Sequence, residues 1–202
     1  DLTAALEDGF LYVRPTLRTI LDPITQPLSW MLDGALYVFT NTPWWILLPL
    51  FILAVQKSAQ SWKITSFVVA CILFYLATDH YTYAMETLSI IFVCTVLCVL
   101  IGVPTGILMA RSNAVQKSLI PILDMLQTLP TFVYLIPLIF IFNITEPKLY
   151  GLAIILYAIV PVVRLTDLGI RLVDKDVIEA ANAYGMTKRQ LLFNVQIPLA
   201  MP

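Results

Sequence analysis

Few residues in this sequence combine type and spacing as chemistry requires. Asp124, Gln127 and Thr128 recur at helical spacing inside the apolar run 119–142, which also carries Pro130. Polar groups facing lipid are costly, so two readings stand: the trio faces the bundle interior or an aqueous path, or Asp124 anchors a helix end near Arg111 or Lys117. Pro130 frees backbone carbonyls beside them. Arg164 and Asp167, three apart, are spaced to pair on one helix face or to anchor a helix end. His80 is the only histidine. With no Cys or second His nearby to complete a ligand set, it reads as a solvated side chain. Cys71, Cys94 and Cys98 lie in apolar runs without CxxC spacing and read as small packing residues. There is no HExxH, no GxSxG and no GxxxxGK(S/T), so the chain cannot by itself bind and hydrolyse a nucleotide through a Walker-type loop.

The elements that must position these residues are membrane helices. Of 202 residues, 59% are hydrophobic and only 12% charged, against about 25% charged in a soluble domain. Mean hydropathy is +0.86. The net charge of −1 offers no basic footprint for nucleic acid. Five spans are expected, at 37–56, 64–78, 88–110, 119–142 and 149–163. The first two are short for a hydrocarbon layer of roughly 30 Å and need their flanks, Trp44 and Trp45 among them. Gly102, Pro104 and Gly106 should kink or thin the end of the third. Ahead of the spans, Leu17, Ile20, Leu21, Ile24, Leu28, Leu32 and Ala35 mark one face of an amphipathic helix that Pro23 and Pro27 should divide in two. That segment lies on the bilayer with Trp30 at headgroup level, or packs on the bundle. The opening residues Asp1 to Asp8 are acidic and polar, unlike a cleavable signal, and the missing initiator methionine suggests a fragment.

Lysines and arginines set the orientation. Lys57 and Lys63, then Arg111 and Lys117, then Arg164, Arg171, Lys175, Lys188 and Arg189 occupy alternate connections. The intervening loops carry Asp79, His80 and Glu86, and then Glu146 with Lys148. The stretch after the fifth span is therefore expected in the cytoplasm and the amino-terminal region outside. In that stretch Asp176 and Glu179 form a capping-box pattern, so a short helix should start near Val177, with Glu179 in its first turn, and end at Gly185. Thr187 and Gln190 repeat the box for a second helix. Two helices meet at an elbow.

Glu179-Ala180-Ala181, then Gly185, then Val195-Gln196-Ile197-Pro198 resembles the EAA loop of permease subunits of type I ATP-binding-cassette importers. Val195 and Ile197 stand where that family prefers isoleucine and leucine. The runs 123–137 (LDMLQTLPTFVYLIP), 161–166 (PVVRLT) and 196–202 (QIPLAMP) are similar to its quaternary-amine branch, which takes up glycine betaine, proline betaine and related osmoprotectants; the likeness is best over 85–202. The resemblance implies an all-α integral membrane permease with an amino-terminal segment (1–36), two membrane spans (37–84) and a core (85–202) holding the coupling loop 174–198. It implies coupling through Glu179, Ala180, Ala181 and Gly185 to separate cytoplasmic ATPase subunits, which carry the ATP and Mg, while this chain holds no cofactor. Further implied partners are a second permease copy, an extracytoplasmic substrate-binding protein and the bilayer, in a bacterial inner membrane. A quaternary ammonium would sit against aromatic faces such as Phe132, Tyr134 and Tyr157 along a path with Asp124, Gln127 and Thr128. Alternatives are a permease for an amino acid or sulfonate, or an ion-coupled carrier using Asp124. Permeases of this family continue through further membrane helices beyond the EAA loop, so an interruption at Pro202 is expected.

Overall fold

The computed structural model describes the backbone of residues 2–200 and the side chains of Tyr12 and of 14–200. Met201 and Pro202, which end the 196–202 motif, and Asp1 of the polar opening lie outside the described residues, as do the side chains of 2–11 and of Val13. Every regular element among the described residues is helical: α1 (Leu2–Asn41), α2 (Trp44–Ala59), α3 (Trp62–Ala77), α4 (Tyr81–Arg111), α5 (Asn113–Thr128), α6 (Thr131–Ile141), α7 (Pro147–Arg171), α8 (Lys175–Ala183), α9 (Lys188–Leu191), a π-helical turn (Leu192–Gln196) and α10 (Ile197–Ala200). The chain forms two units, 1–93 with 139–151 and 94–138 with 152–202.

In the first unit, α1 runs without a break through Pro15, Pro23 and Pro27, against the expected division. Each proline removes one ladder bond, but the neighbouring bonds persist, and the Thr25 hydroxyl donates to the Leu21 carbonyl at 2.9 Å between the last two prolines. The buried stripe is Thr25, Leu28 and Leu32, whereas Ile20, Ile24 and Trp30 are exposed. The expected first span is not one helix: its residues 37–41 complete α1, and the axes of 14–41 and α2 differ by 108°. Pro43 causes this, because it has no N–H to donate and holds an extended backbone at φ −59°, ψ 141°. α2 and α3 are each 16 residues, about 24 Å at 1.5 Å per residue. The Thr65 hydroxyl donates to the Gln56 side chain at 2.6 Å and ties the pair together.

α1 is clasped by charge to Glu146 and the first turn of α7. Arg18 reaches Asp22 at 3.2 Å and Glu146 at 2.8 Å, and Lys148 reaches Asp22 at 2.8 Å and Glu146 at 2.9 Å. The Lys148 ammonium also lies 4.9 Å from the centre of the Phe142 ring. Burial alone would raise the Glu146 carboxyl; the hydrogen bond and charge of Lys148, with Asn143 and Arg18, outweigh it and hold the group below its ordinary value.

In the second unit, α4 and α7 meet through glycines. A Cβ on Gly102 would stand 2.8 Å from Val162 Cγ1, and one on Gly106 would stand 2.5 Å from Thr166 Cβ and 2.7 Å from the Val163 carbonyl oxygen. The helices approach as closely as backbones permit, which is how apolar helices gain packing where lipid offers no hydrophobic drive. α4 stays continuous through Pro104. Met109, Leu123, Val160 and Val163 form the buried core of α4, α5 and α7. By length and hydropathy, α4 and α7 can each cross a membrane alone; the pairs 14–41 with α2 and α5 with α6 qualify only as bent spans.

Candidate functional site: a doubly capped elbow and a helix-borne ion pair

The polar stretch after α7 folds into the expected elbow, with its first helix shifted. α8 begins at Lys175, and its N-cap is Asp174, whose Oδ1 accepts from the Asp176 N–H at 2.9 Å. The expected box of Asp176 with Glu179 does not form. Asp174 caps first, so Asp176 falls inside the first turn and Glu179 one turn later. The carboxylates at the positive helix end are thus the capping Asp174 and, in the first turn, Asp176. Ala181 is buried, while Glu179, Ala180 and Gly185 are exposed.

The end of α8 is as expected. Gly185 has φ +73°, its N–H donates to the Asn182 carbonyl at 2.9 Å, and the Met186 N–H donates to the Ala181 carbonyl at 3.2 Å. This pair of bonds is the Schellman closure, which needs a left-handed residue between them. A Cβ on Gly185 would meet nothing within 4 Å, so the demand for glycine is one of backbone conformation rather than of space. The Thr187–Gln190 capping box is complete: Gln190 N–H donates to Thr187 Oγ1 at 3.4 Å, and Thr187 N–H donates to Gln190 Oε1 at 2.9 Å.

The second arm is helical over 188–200, and its middle widens to a π turn, with the Ile197 N–H donating to the Leu192 carbonyl five residues back. Pro198 accounts for this. It offers no N–H to the Asn194 carbonyl and its ring crowds that oxygen, and a wider turn relieves both. The arm then returns to α7, where a Cβ on Gly169 would lie 3.1 Å from the Ala200 carbonyl oxygen. Val103, Ile107, Leu165, Ile170, Ile197 and Ala200 line an apolar groove of about 270 Å³ beside that contact.

The second expected locus is broken by its proline. α5 ends at Thr128, Leu129 is extended at ψ 129°, and α6 departs at 86°. The residue before a proline is driven out of the helical region, which fixes the bend at Leu129. Asp124, Gln127 and Thr128 are all exposed, and the Thr128 hydroxyl donates back to the Asp124 carbonyl at 2.8 Å.

Asp124 pairs with neither Arg111 nor Lys117. Its Oδ1 accepts from Arg164 Nη2 on α7. Asp167, the other expected partner of Arg164, instead accepts from Arg171 Nε at 2.8 Å and from Gln116 Nε2 at 2.7 Å. Arg171 also donates to the Asn113 side chain at 3.0 Å and to the Met109 carbonyl at 2.7 Å, so it joins the end of α4, the start of α5 and the end of α7. Sequence reasoning missed both cross-helix pairings. The available signal was that acids and arginines in apolar helices must find partners on other helices.

Phe132 is 71% and Tyr157 52% exposed, and among the described residues no ring pair joins them to each other or to Tyr134. The Tyr134 hydroxyl is buried without a hydrogen-bond partner.

Apolar helices long enough to cross a bilayer, joined to a polar elbow capped at both of its helices, define a multi-pass integral membrane protein. The chain belongs to the family of binding-protein-dependent transport system inner membrane components, whose model matches residues 102–202. It is 34% identical over 203 residues to the glycine betaine/proline betaine transport system permease protein ProW of Escherichia coli, covering 100% of this chain and 56% of that protein. It is 35% identical over 181 residues to the glycine betaine/carnitine transport permease protein GbuB of Listeria monocytogenes, covering 88% and 64%. With the glycine betaine transport system permease protein OpuAB of Bacillus subtilis it shares 37% identity over 159 residues, 76% of this chain and 56% of that one. The chain thus spans between about half and two thirds of the length of these curated relatives.

Proposed function

We propose that the protein is the permease subunit of an ATP-driven importer for betaine-type compatible solutes. It contributes five membrane spans in this chain, the two bent pairs and α3 completing the set begun by α4 and α7. ATP and Mg act on separate ATPase subunits in the cytoplasm, a second permease copy completes the pathway, and an extracytoplasmic binding protein delivers the solute. The observation that carries the reading is the elbow: a short helix with exposed Glu179 and Ala180, closed by a left-handed Gly185 and followed at once by a capped second arm. In this reading α8 is the lever the ATPase grips. The small side chains of Ala180 and Ala181 favour close approach, and Glu179 supplies a charge for the partner. The solute path runs past Asp124, Gln127, Thr128, Phe132, Tyr134 and Tyr157. The solute class follows from the names of the relatives, which handle betaines and carnitine.

An ion-coupled carrier built on Asp124 is disfavoured, because Arg164 already neutralises that carboxylate. Uptake of labelled glycine betaine into proteoliposomes tests the reading with the full-length permease, its ATPase and its binding protein. Uptake that requires internal ATP supports it. Uptake driven by a proton or sodium gradient without ATPase, or ATP-dependent uptake of an amino acid or sulfonate in place of betaine, would overturn it.

A further inference from the structure

We infer that Arg164 binds the carboxylate of the transported solute and that Asp124 is the internal carboxylate it displaces. The inference rests on the importer reading above and adds a contact to it. Arg164 holds Asp124 by Nη2 alone, while its Nε is buried with no hydrogen-bond partner. Along one edge of a guanidinium, the Nε and Nη2 hydrogens point the same way and form a fork that a single carboxylate can fill with two parallel bonds. Asp124 fills one prong. Its carboxylate is carried by α5 and the guanidinium by α7, so the second oxygen is not brought to Nε.

A free carboxylate has no such tether and can take both prongs. The exchange leaves the number of ion pairs on Arg164 unchanged and satisfies a donor that burial otherwise leaves at a cost. Both side chains are partly exposed, Arg164 at 38% and Asp124 at 54%, so a solute meets Nη2 first and engages the buried Nε as Asp124 is displaced. Arg171, two turns further along α7, is unsuited to the role, because its Nε and both Nη groups are already engaged by Asp167, Asn113 and the Met109 carbonyl. Fork geometry also makes arginine distinct from lysine at such a site.

The test is equilibrium binding of radiolabelled glycine betaine to the detergent-solubilised full-length permease with its ATPase, without binding protein. Choline, which carries the same trimethylammonium head with a hydroxyl for the carboxylate, serves as competitor. Arg164→Gln should weaken binding roughly tenfold or more, as expected for losing a charge-assisted bidentate contact, and Arg164→Lys should fall between that and the wild type. Asp124→Asn should tighten binding, because the internal competitor is gone; a merely structural pair would lose affinity on either side. Choline should displace glycine betaine poorly. Absent binding to the wild type, wild-type affinity in Arg164→Gln, weakening by Asp124→Asn, or equal displacement by choline would each overturn the inference. Parallel ATP-driven uptake by the wild type separates the two readings: if uptake persists while these results fail, only the carboxylate contact is lost.

Discussion

The two units hold their charges in opposite ways. In the first, Arg18, Asp22, Glu146 and Lys148 form a closed set, each cation reaching both carboxylates, with the Lys148 side chain only 10% exposed. In the second, Asp124 and Arg164 make one exposed contact and leave a buried donor unused. In the closed set each carboxylate already meets two cations, and the set serves to fasten α1 to Glu146 and the first turn of α7. An open pair retains capacity. The Arg171 group, also in the second unit, is of the closed kind. The contrast separates charges that fasten the fold from charges available for function.

That contrast can be broken at several points. The largest effect is expected where packing is tightest: Gly106→Val places a side chain where even a Cβ would stand 2.5 Å from Thr166 Cβ. It should prevent accumulation of folded protein, read as loss of a monodisperse peak in detergent. Next, Lys148→Met leaves the Asp22 and Glu146 carboxylates with Arg18 alone of their two shared cations. It should cost about 2 kcal/mol, a lost charge-assisted bond in a partly buried site, and lower the unfolding temperature in detergent. Thr187→Ala removes one half of the capping box and should cost about 1 kcal/mol locally, seen as faster amide exchange over 188–191 with no change around α1.

The smallest effect is on pH. Glu146 is held below its ordinary 4.5 in the folded chain, so the folded state binds its proton less readily than the unfolded one. Its contribution is full above that value and is lost as pH falls through the lower folded value. Unfolding temperature should drop on acidification below about pH 4.5, and Glu146→Gln should flatten that drop. An unchanged slope in Glu146→Gln would show that the clasp does not depend on this carboxylate.

Legibility followed the range of the interactions. Gly185, Thr187 and Gln190 are neighbours in sequence, and the glycine closure and second cap were readable because both partners of each bond lie within five residues. The first cap was misread because Asp174, two residues before Asp176, competes for the same role, and spacing alone does not rank two acids. The span expected over 119–142 is bent by 86° at Pro130, where the freed carbonyls were readable but the change of direction was not; the continuity of α1 through its prolines was also not readable, because it depends on the buried stripe of Thr25, Leu28 and Leu32. Arg164, the partner of Asp124, lies 40 residues away and Gln116, one partner of Asp167, lies 51 away, and nothing local encodes them; the i,i+4 pairing of Asp167 with Arg171 is local and was open to reading. Likewise, the aromatic residues at 132, 134 and 157 suit a cation by type, but type alone does not bring them together.

The central claim is that the elbow transmits work. It is tested most directly by Gly185→Val in the reconstituted full-length importer, with ATP hydrolysis and glycine betaine uptake measured on the same proteoliposomes. Valine at φ +73° is strained, but its Cβ meets nothing within 4 Å, so the membrane helices should insert and the complex assemble. The account predicts that uptake falls far more than assembly does, and that solute and binding protein no longer stimulate hydrolysis. Uptake and stimulated hydrolysis both at wild-type levels would contradict it.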